Sequence, residues 1–212
     1  MILSPPLLAR WSASVLRIAS AMRAVHFALA GAALSAAIVA SVMLVPDGRG
    51  TWGAGLAVLM VAIAAVDARR FIIPDELTAA ALVLGLAYAA VEDADIWAPA
   101  LAWAVLRGTI PALAFLGIRA GYRRWRGHEG IGLGDVKLAG VAGVWLDWPT
   151  IPIAIEIAAL AALGTYLVRH FYLRRTVRPT TRLPFGMFLA PAIWIAWILD
   201  AAPLLYPSAA SF

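Results

Sequence analysis

Cysteine is absent from the 212-residue chain. That single absence removes disulfides, thiolate metal ligands and cysteine nucleophiles together. Serine is missing from the whole interior, with none between Ser41 and Ser208, which leaves no serine nucleophile inside a helix bundle. The three histidines, His26, His128 and His170, stand far apart. They show no metal-ligand spacing such as H-E-x-x-H, and neither a metal nor a cofactor is expected. No strand pattern precedes a glycine-rich phosphate loop. Charge is scarce as well, at 14% of residues, whereas a soluble domain carries about a quarter. Nor is a cleaved signal peptide expected: Arg10, Arg17 and Arg23 interrupt the first 25 residues, and no compact apolar core leads to a small-residue cleavage site.

What is present is apolar. Hydrophobic residues make up 63% of the chain, and several runs approach the ~20 residues a helix needs to cross a bilayer. The expected fold is an all-α polytopic membrane protein, a bundle of about seven transmembrane helices. The spans are predicted over 26–45, 53–69, 77–91, 97–118, 134–148, 150–168 and 184–206. Residues 1–25 are expected to form an interfacial segment, and 26–212 the transmembrane domain. Pro46-Asp47-Gly48, Ile73-Pro74-Asp75, Glu92-Asp93 and Trp148-Pro149 mark breaks between spans. Residues 119–133 and 169–182 read as polar or basic loops. The alanine bias suits close helix packing in lipid.

Charge sets the expected orientation. Fifteen of the 17 Lys and Arg fall in 1–25, 69–76, 119–133 and 169–183 or, for Lys137, just beyond. Asp47, Glu92, Asp93, Asp95 and Asp147 fall in the alternate loops. Positive residues collect on the cytoplasmic side, so the N-terminus is placed inside and the C-terminus outside. The net charge of +5 speaks to this topology and not to nucleic acid.

The chemistry left after these exclusions is that of carboxylates in membrane segments, which are costly there and are functional candidates by default. Asp67 ends the second span in A-A-V-D-A-R-R-F-I-I-P-D (64–75), and Asp135 opens the fifth in I-G-L-G-D-V-K-L (131–138). Both are expected at the cytoplasmic edge. Gly132 and Gly134 give a bend that a Cβ-bearing residue resists. Two aspartates brought together can hydrolyse a peptide bond, because like charges in contact hold one proton between them. One carboxylate then takes a proton from water, and the other donates to the scissile carbonyl.

Each residue also has a structural reading. Asp67 fits an interfacial ion pair with Arg69 or Arg70. Asp135 fits a helix N-cap, and so does Asp75 after Pro74. Lys137 fits a side chain reaching for lipid headgroups, and Arg107, Glu156 and Asp200 a buried charge network. Pro184 and Gly186 begin the last span, where a plain helix start competes with a part in shaping the site. A small transporter or a pilus or secretion assembly protein without peptidase activity is the competing function. Its acids belong near the bilayer midplane, and these two lie at the edge.

Three blocks resemble the type IV prepilin peptidases, membrane aspartyl proteases with a G-x-G-D motif. V-D-A-R-R-F-I-I-P-D (66–75) resembles that family's aspartate followed by a Leu/Ile-Pro-Asp/Asn turn. E-G-I-G-L-G-D-V-K-L (129–138) resembles its G-x-G-D-x-K-L segment, and L-P-F-G-M-F-L-A (183–190) its P-F-G-P-F-L-A segment. The resemblance implies Asp67 and Asp135 as the catalytic pair, with Gly132, Gly134, Lys137, Pro184 and Gly186 as substrate-binding or supporting residues. It implies no metal and no cofactor. It further implies that the protein removes the short basic leader of prepilins or pseudopilins after a glycine, at the cytoplasmic face of the inner membrane. The partners implied are that substrate and membrane lipids. Two departures stand out. The paired cysteines of the methylating members are missing, so the chain resembles the short, peptidase-only form. Met187 stands where the family often has proline. Signal-peptide peptidases and presenilins share G-x-G-D, but their Pro-Ala-Leu motif has no counterpart here.

Overall fold

A computed structural model describes residues 25, 28–45, 47–127, 130–171 and 184–202. Among these, α1 spans Ala28–Leu44, α2 Arg49–Arg70, α3 Asp75–Glu92 and α4 Trp97–Arg126, which follows a 3-10 turn at Ala94–Ile96. The chain continues through α5 (Leu133–Trp145), α6 (Thr150–Phe171) and α7 (Gly186–Ala201). No strand occurs among the described residues, and the all-α polytopic architecture stands. The expected interfacial segment, apart from Val25, lies outside the described residues, as do His26, His128 and 172–183 of the basic loop.

Among the described residues, three helices are long and apolar enough to cross a membrane: α2, α4 with its preceding turn, and α6. Their surfaces fit that solvent. Trp103, Leu113, Leu160 and Leu163 are all more than half exposed, an apolar exterior that water disfavours. The helix α4 departs from the sequence expectation. Its 30 residues at ~1.5 Å each make ~45 Å, well beyond the ~30 Å of a hydrocarbon core. The stretch 119–126, expected as loop, is therefore its last two turns. Nothing in Arg119–Arg126 breaks a helix, and cations suit a helix C-terminus. The stop comes at Gly127, in the left-handed region at φ 73°, with its N–H on the Arg123 carbonyl.

At the centre lies α5, only 13 residues long and buried from Val136 to Trp145 except for Lys137. It packs on α3, α4 and α7. Its approach to α4 depends on missing side chains: a Cβ on Gly143 would collide with the Arg107 carbonyl, and one on Gly108 would lie 2.7 Å from Val144 and 3.0 Å from the Gly140 carbonyl. Small residues let helix backbones meet this closely. Trp145 pins the end of α5, donating its indole N–H to the Ala81 carbonyl at 2.8 Å and stacking on Tyr88 at 5.4 Å between ring centroids. The other tight pair joins α2 to α7, where Trp197 fills the space over Gly53. Leu56, Met60, Ile63, Leu138, Leu189 and Ile193 complete a dry core.

The helices alternate in direction, so the bundle has two distinct ends. One gathers the C-termini of α2 and α4 and the N-termini of α3, α5 and α7, and it carries Asp67 and Asp135. The other carries Arg107, Asp147 and Asp200. There Arg107 pairs with Asp147, and Asp200 accepts from the Thr150 hydroxyl at 3.2 Å. Glu156 is exposed on α6 and takes no part, so the expected network of Arg107, Glu156 and Asp200 is corrected to Arg107, Asp147, Thr150 and Asp200. The reason is register: Glu156 lies on the outer face of α6, away from the α7 contact that buries Ala154 and Ala158.

Candidate active site

The site is built from three helix ends and one turn. Helix α2 ends at Phe71, which sits in the left-handed region at φ 54° and donates its N–H to the Asp67 carbonyl at 2.9 Å. A bulky residue there is uncommon and strained. The reversal drops Ile73 into the core, 8% exposed. Ile73 acts as a wedge between two helix starts. A Cβ on Gly134 would lie 2.8 Å from the Ile73 Cβ, and one on Gly186 2.5 Å from its Cδ1. Both glycines are therefore needed for close approach, whatever backbone freedom they also give.

Asp67, on the last turn of α2, is 4% exposed. Its Oδ2 accepts the backbone N–H of Met187, in the first turn of α7, at 2.8 Å. Asp135, in the first turn of α5, is half-buried, and its Oδ2 accepts the Gly132 N–H at 3.2 Å. The expectation that Asp135 is an N-cap is thus corrected. Gly132 is the N-cap, and Asp135 reaches back to it from the third helical position, as the acid of a capping box does. Neither carboxylate forms an ion pair among the described residues, so the pairing expected for Asp67 with Arg69 or Arg70 is absent. The two aspartates lie within electrostatic reach of each other. Two carboxyls close enough to share a proton supply an acid and a base together.

Lys137 donates to Asp75 Oδ1 at 2.5 Å, joining α5 to α3 two residues beyond Asp135 and two beyond Ile73. This corrects two expectations. Asp75 is the first residue of α3, with Pro74 as the N-cap, and Lys137 reaches across to it and not outward. Arg119 donates to the Ile131 carbonyl at 3.2 Å, so the extended end of α4 steadies the approach to Gly132. Pro184 precedes α7 and is half-buried, while Gly186 is buried at its first turn. Four of the seven expected residues therefore pack on Ile73 (Gly134 and Gly186) or bond to each other (Gly132 and Asp135), and Asp67 bonds to Met187, next to Gly186. Sequence reasoning missed Ile73 as the wedge and the Met187 N–H as the partner of Asp67. For the first, the apolar run Phe71-Ile72-Ile73 between Arg70 and Asp75 was visible, but not which of its members turns inward. Nothing in the local sequence marks the second. No group of three or more His, Asp or Glu among the described residues is arranged to hold a metal.

The sequence profile of the type IV leader peptidase family matches residues 54–167. The chain belongs to that family. Among relatives, the chain is 35% identical over 174 residues to the prepilin leader peptidase/N-methyltransferase of Burkholderia pseudomallei, covering 76% of this chain and 50% of that protein. It is 31% identical over 159 residues to the protein of the same description from Aeromonas hydrophila, covering 74% and 53%. It is 36% identical over 127 residues to leader peptidase HopD of Escherichia coli, covering 59% of this chain and 78% of that one. The chain spans about half the length of the curated prepilin leader peptidase/N-methyltransferases it matches. No solved structure matches. The type IV leader peptidase match contains Asp67, Ile73 and Asp135 and stops short of α7.

Proposed function

We propose that this member of the type IV leader peptidase family is an aspartic endopeptidase of the cytoplasmic membrane. Its substrate is a prepilin or pseudopilin, cut after a glycine at the end of a short basic leader. Asp67 and Asp135 are the catalytic residues. One, ionised, takes a proton from water. The other, protonated, donates to the scissile carbonyl as the tetrahedral intermediate forms. A helical peptide hides its carbonyls in hydrogen bonds, so the scissile segment must be extended when it enters. On this reading such a strand lies along the Gly132 to Gly134 backbone, next to Asp135. Gly132, Gly134 and Gly186 shape the site, Lys137 holds α5 against α3, and Pro184 leads into α7.

The observation that carries this reading is that two acids without an ion pair among the described residues lie within electrostatic reach of each other at one end of the bundle, in a chain of this family. Lipids surround the apolar exterior. Arg69, Arg70, Arg119, Arg123, Arg124, Arg126, Lys137 and Arg169 all belong to the same end as the two aspartates. By the positive-inside rule that end faces the cytoplasm, where a basic leader remains before cleavage.

The test is cleavage in membranes. A prepilin-like substrate is co-expressed with the wild type, with Asp67→Asn and with Asp135→Asn. Leader removal is followed by mobility shift and N-terminal sequencing. The wild type should cut, and both variants should accumulate without cutting. Cleavage by either variant at the wild-type rate sinks the assignment of that aspartate.

A further inference from the structure

We propose that Ile73 is a positioning residue, the spacer that sets how far apart Asp67 and Asp135 stand. This rests on the reading of the two aspartates as the catalytic pair. Ile73 touches no substrate and acts through the two helix starts it separates.

Phe71 and Ile72 are 55% and 61% exposed, whereas Ile73 is 8% exposed. The turn after α2 thus commits one of its three apolar side chains to the interior. The backbone of Ile73 is fixed on both sides. Upstream, the Phe71 N–H closes α2 on the Asp67 carbonyl. Downstream, Pro74 restricts the residue before it to extended conformations, and the Pro74 carbonyl accepts the N–H and the hydroxyl of Thr78, at 3.2 and 3.0 Å. The side chain is stiff as well, since branching at Cβ narrows χ1. It reaches both helix starts. Its Cβ lies 2.8 Å from where Gly134 would carry a Cβ, and its Cδ1 lies 2.5 Å from the same point on Gly186. Asp135 follows Gly134 directly, and Asp67 Oδ2 lies 2.9 Å from that point on Gly186. The contacts therefore run from Asp135 through Gly134, Ile73 and Gly186 to Asp67. Two carboxylates repel and do not hold each other in place, and close packing fixes their separation here. On the helix ends around the pair, α2 brings Arg69 and Arg70, α3 Asp75 and Glu76, α4 Arg119 and α5 Lys137. Lys137 pairs with Asp75, and α7 brings no charged side chain before Asp200.

The test shortens the spacer. Ile73→Ala removes it, and Ile73→Leu keeps its volume, a swap that cores tolerate. The purified chain and both variants are assayed on a prepilin-like substrate with a basic leader ending in glycine, recording kcat and KM across pH. Ile73→Leu should cut like the wild type. Ile73→Ala should lose up to ~100-fold in kcat, the scale of a displacement of ~1 Å, with KM little changed. The two limbs of its kcat profile should move apart, because acids that close up repel more strongly and their apparent pKa values separate. A second readout needs no activity. The chain has no cysteine, so Asp67→Cys combined with Asp135→Cys introduces a single thiol pair. Its disulfide, formed under a mild oxidant, should appear faster when Ile73→Ala is added. A merely structural role for Ile73 would lower the folded fraction and leave the limbs and the disulfide rate of the folded protein in place. If Ile73→Ala does not accumulate, Ile73→Val removes only Cδ1, the atom nearest Gly186. Wild-type kcat, limb spacing and disulfide rate in the shortened variant overturn the inference while the peptidase reading stands. A wild type that fails to cut overturns both.

Discussion

Asp147 at one end of this bundle and Asp67 and Asp135 at the other are held in different ways. At the Arg107 end, acids meet cations: Asp147 pairs with Arg107, and Asp47 and Glu92 both approach Arg49, at 2.5 and 3.7 Å. At the Asp67 end neither Asp67 nor Asp135 forms an ion pair among the described residues, and each accepts a backbone N–H from the start of a helix. A cation neutralises a carboxylate and holds its charge fixed. An amide orients it and leaves the second oxygen free to gain and lose a proton. On the proposed function, the contrast separates charge that holds the bundle together from charge kept available for chemistry.

Substitutions can break that contrast, and the largest effect is expected at the Asp67 end. Asp67→Asn and Asp135→Asn should each lower cleavage by at least ~10³-fold, within the range of general acid–base catalysis, while their thermal unfolding midpoints in detergent stay near the wild type. Asp147→Asn should do the reverse, leaving the rate per folded molecule unchanged and lowering the midpoint slightly. Loss of activity in Asp147→Asn with stability intact would erase the distinction.

Alanine in place of two glycines sharpens it further. Gly143→Ala puts a Cβ into the Arg107 carbonyl and should destabilise by ~1–3 kcal/mol, the usual cost of overpacking, read as a lower unfolding midpoint. Gly134→Ala pushes on Ile73 at 2.8 Å and should lower kcat more than its stability loss explains. Equal and purely thermal effects in both would make Gly134 one more packing glycine.

Smaller changes are expected where the ion pairs are open to solvent. Lys137→Met should cost under ~1 kcal/mol, because the pair with Asp75 is exposed on both sides and such pairs contribute little. At the opposite end, the hydrogen bond from Arg49 holds the Asp47 carboxyl below the usual carboxylate range. A depressed value means the group stabilises the fold above its unfolded value of ~4 and loses that contribution as pH falls through the folded value. The small difference in midpoint between wild type and Asp47→Asn at pH 7 should therefore shrink to nothing in strong acid. Glu92 contrasts with it, since burial pushes its carboxyl up.

Much of this was legible along the chain. Helices stand close to the predicted spans because apolar run length and Gly/Pro punctuation are local signals. The tight turn at Trp148-Pro149 lies where it was expected. Asp67 and Asp135 stood out because acids are costly in apolar segments. The misreadings share a cause. Arg119–Arg126 looked like loop because charge was taken as the end of a helix, whereas only Gly127 breaks the backbone. Asp75 and Asp135 looked like caps because Pro74 and Gly132, the residues that take the cap position, carry no side-chain acceptor. Lys137 was given to the lipid because its partner lies 62 residues away.

By itself, then, the sequence determined the solvent, the helical class, the segregation of basic residues to one end and the identity of the two acids. Composition, periodicity and local motifs carry each of these, because each depends on residues within a few turns of one another. Only the tertiary structure decided what surrounds the acids. It placed the Ile73 wedge between two glycines, joined Lys137 to Asp75, and gave Asp67 an amide from α7 in place of an arginine. Those contacts depend on how closely helix backbones approach, and the glycines that permit that approach acquire their meaning only from the partner that fills the space.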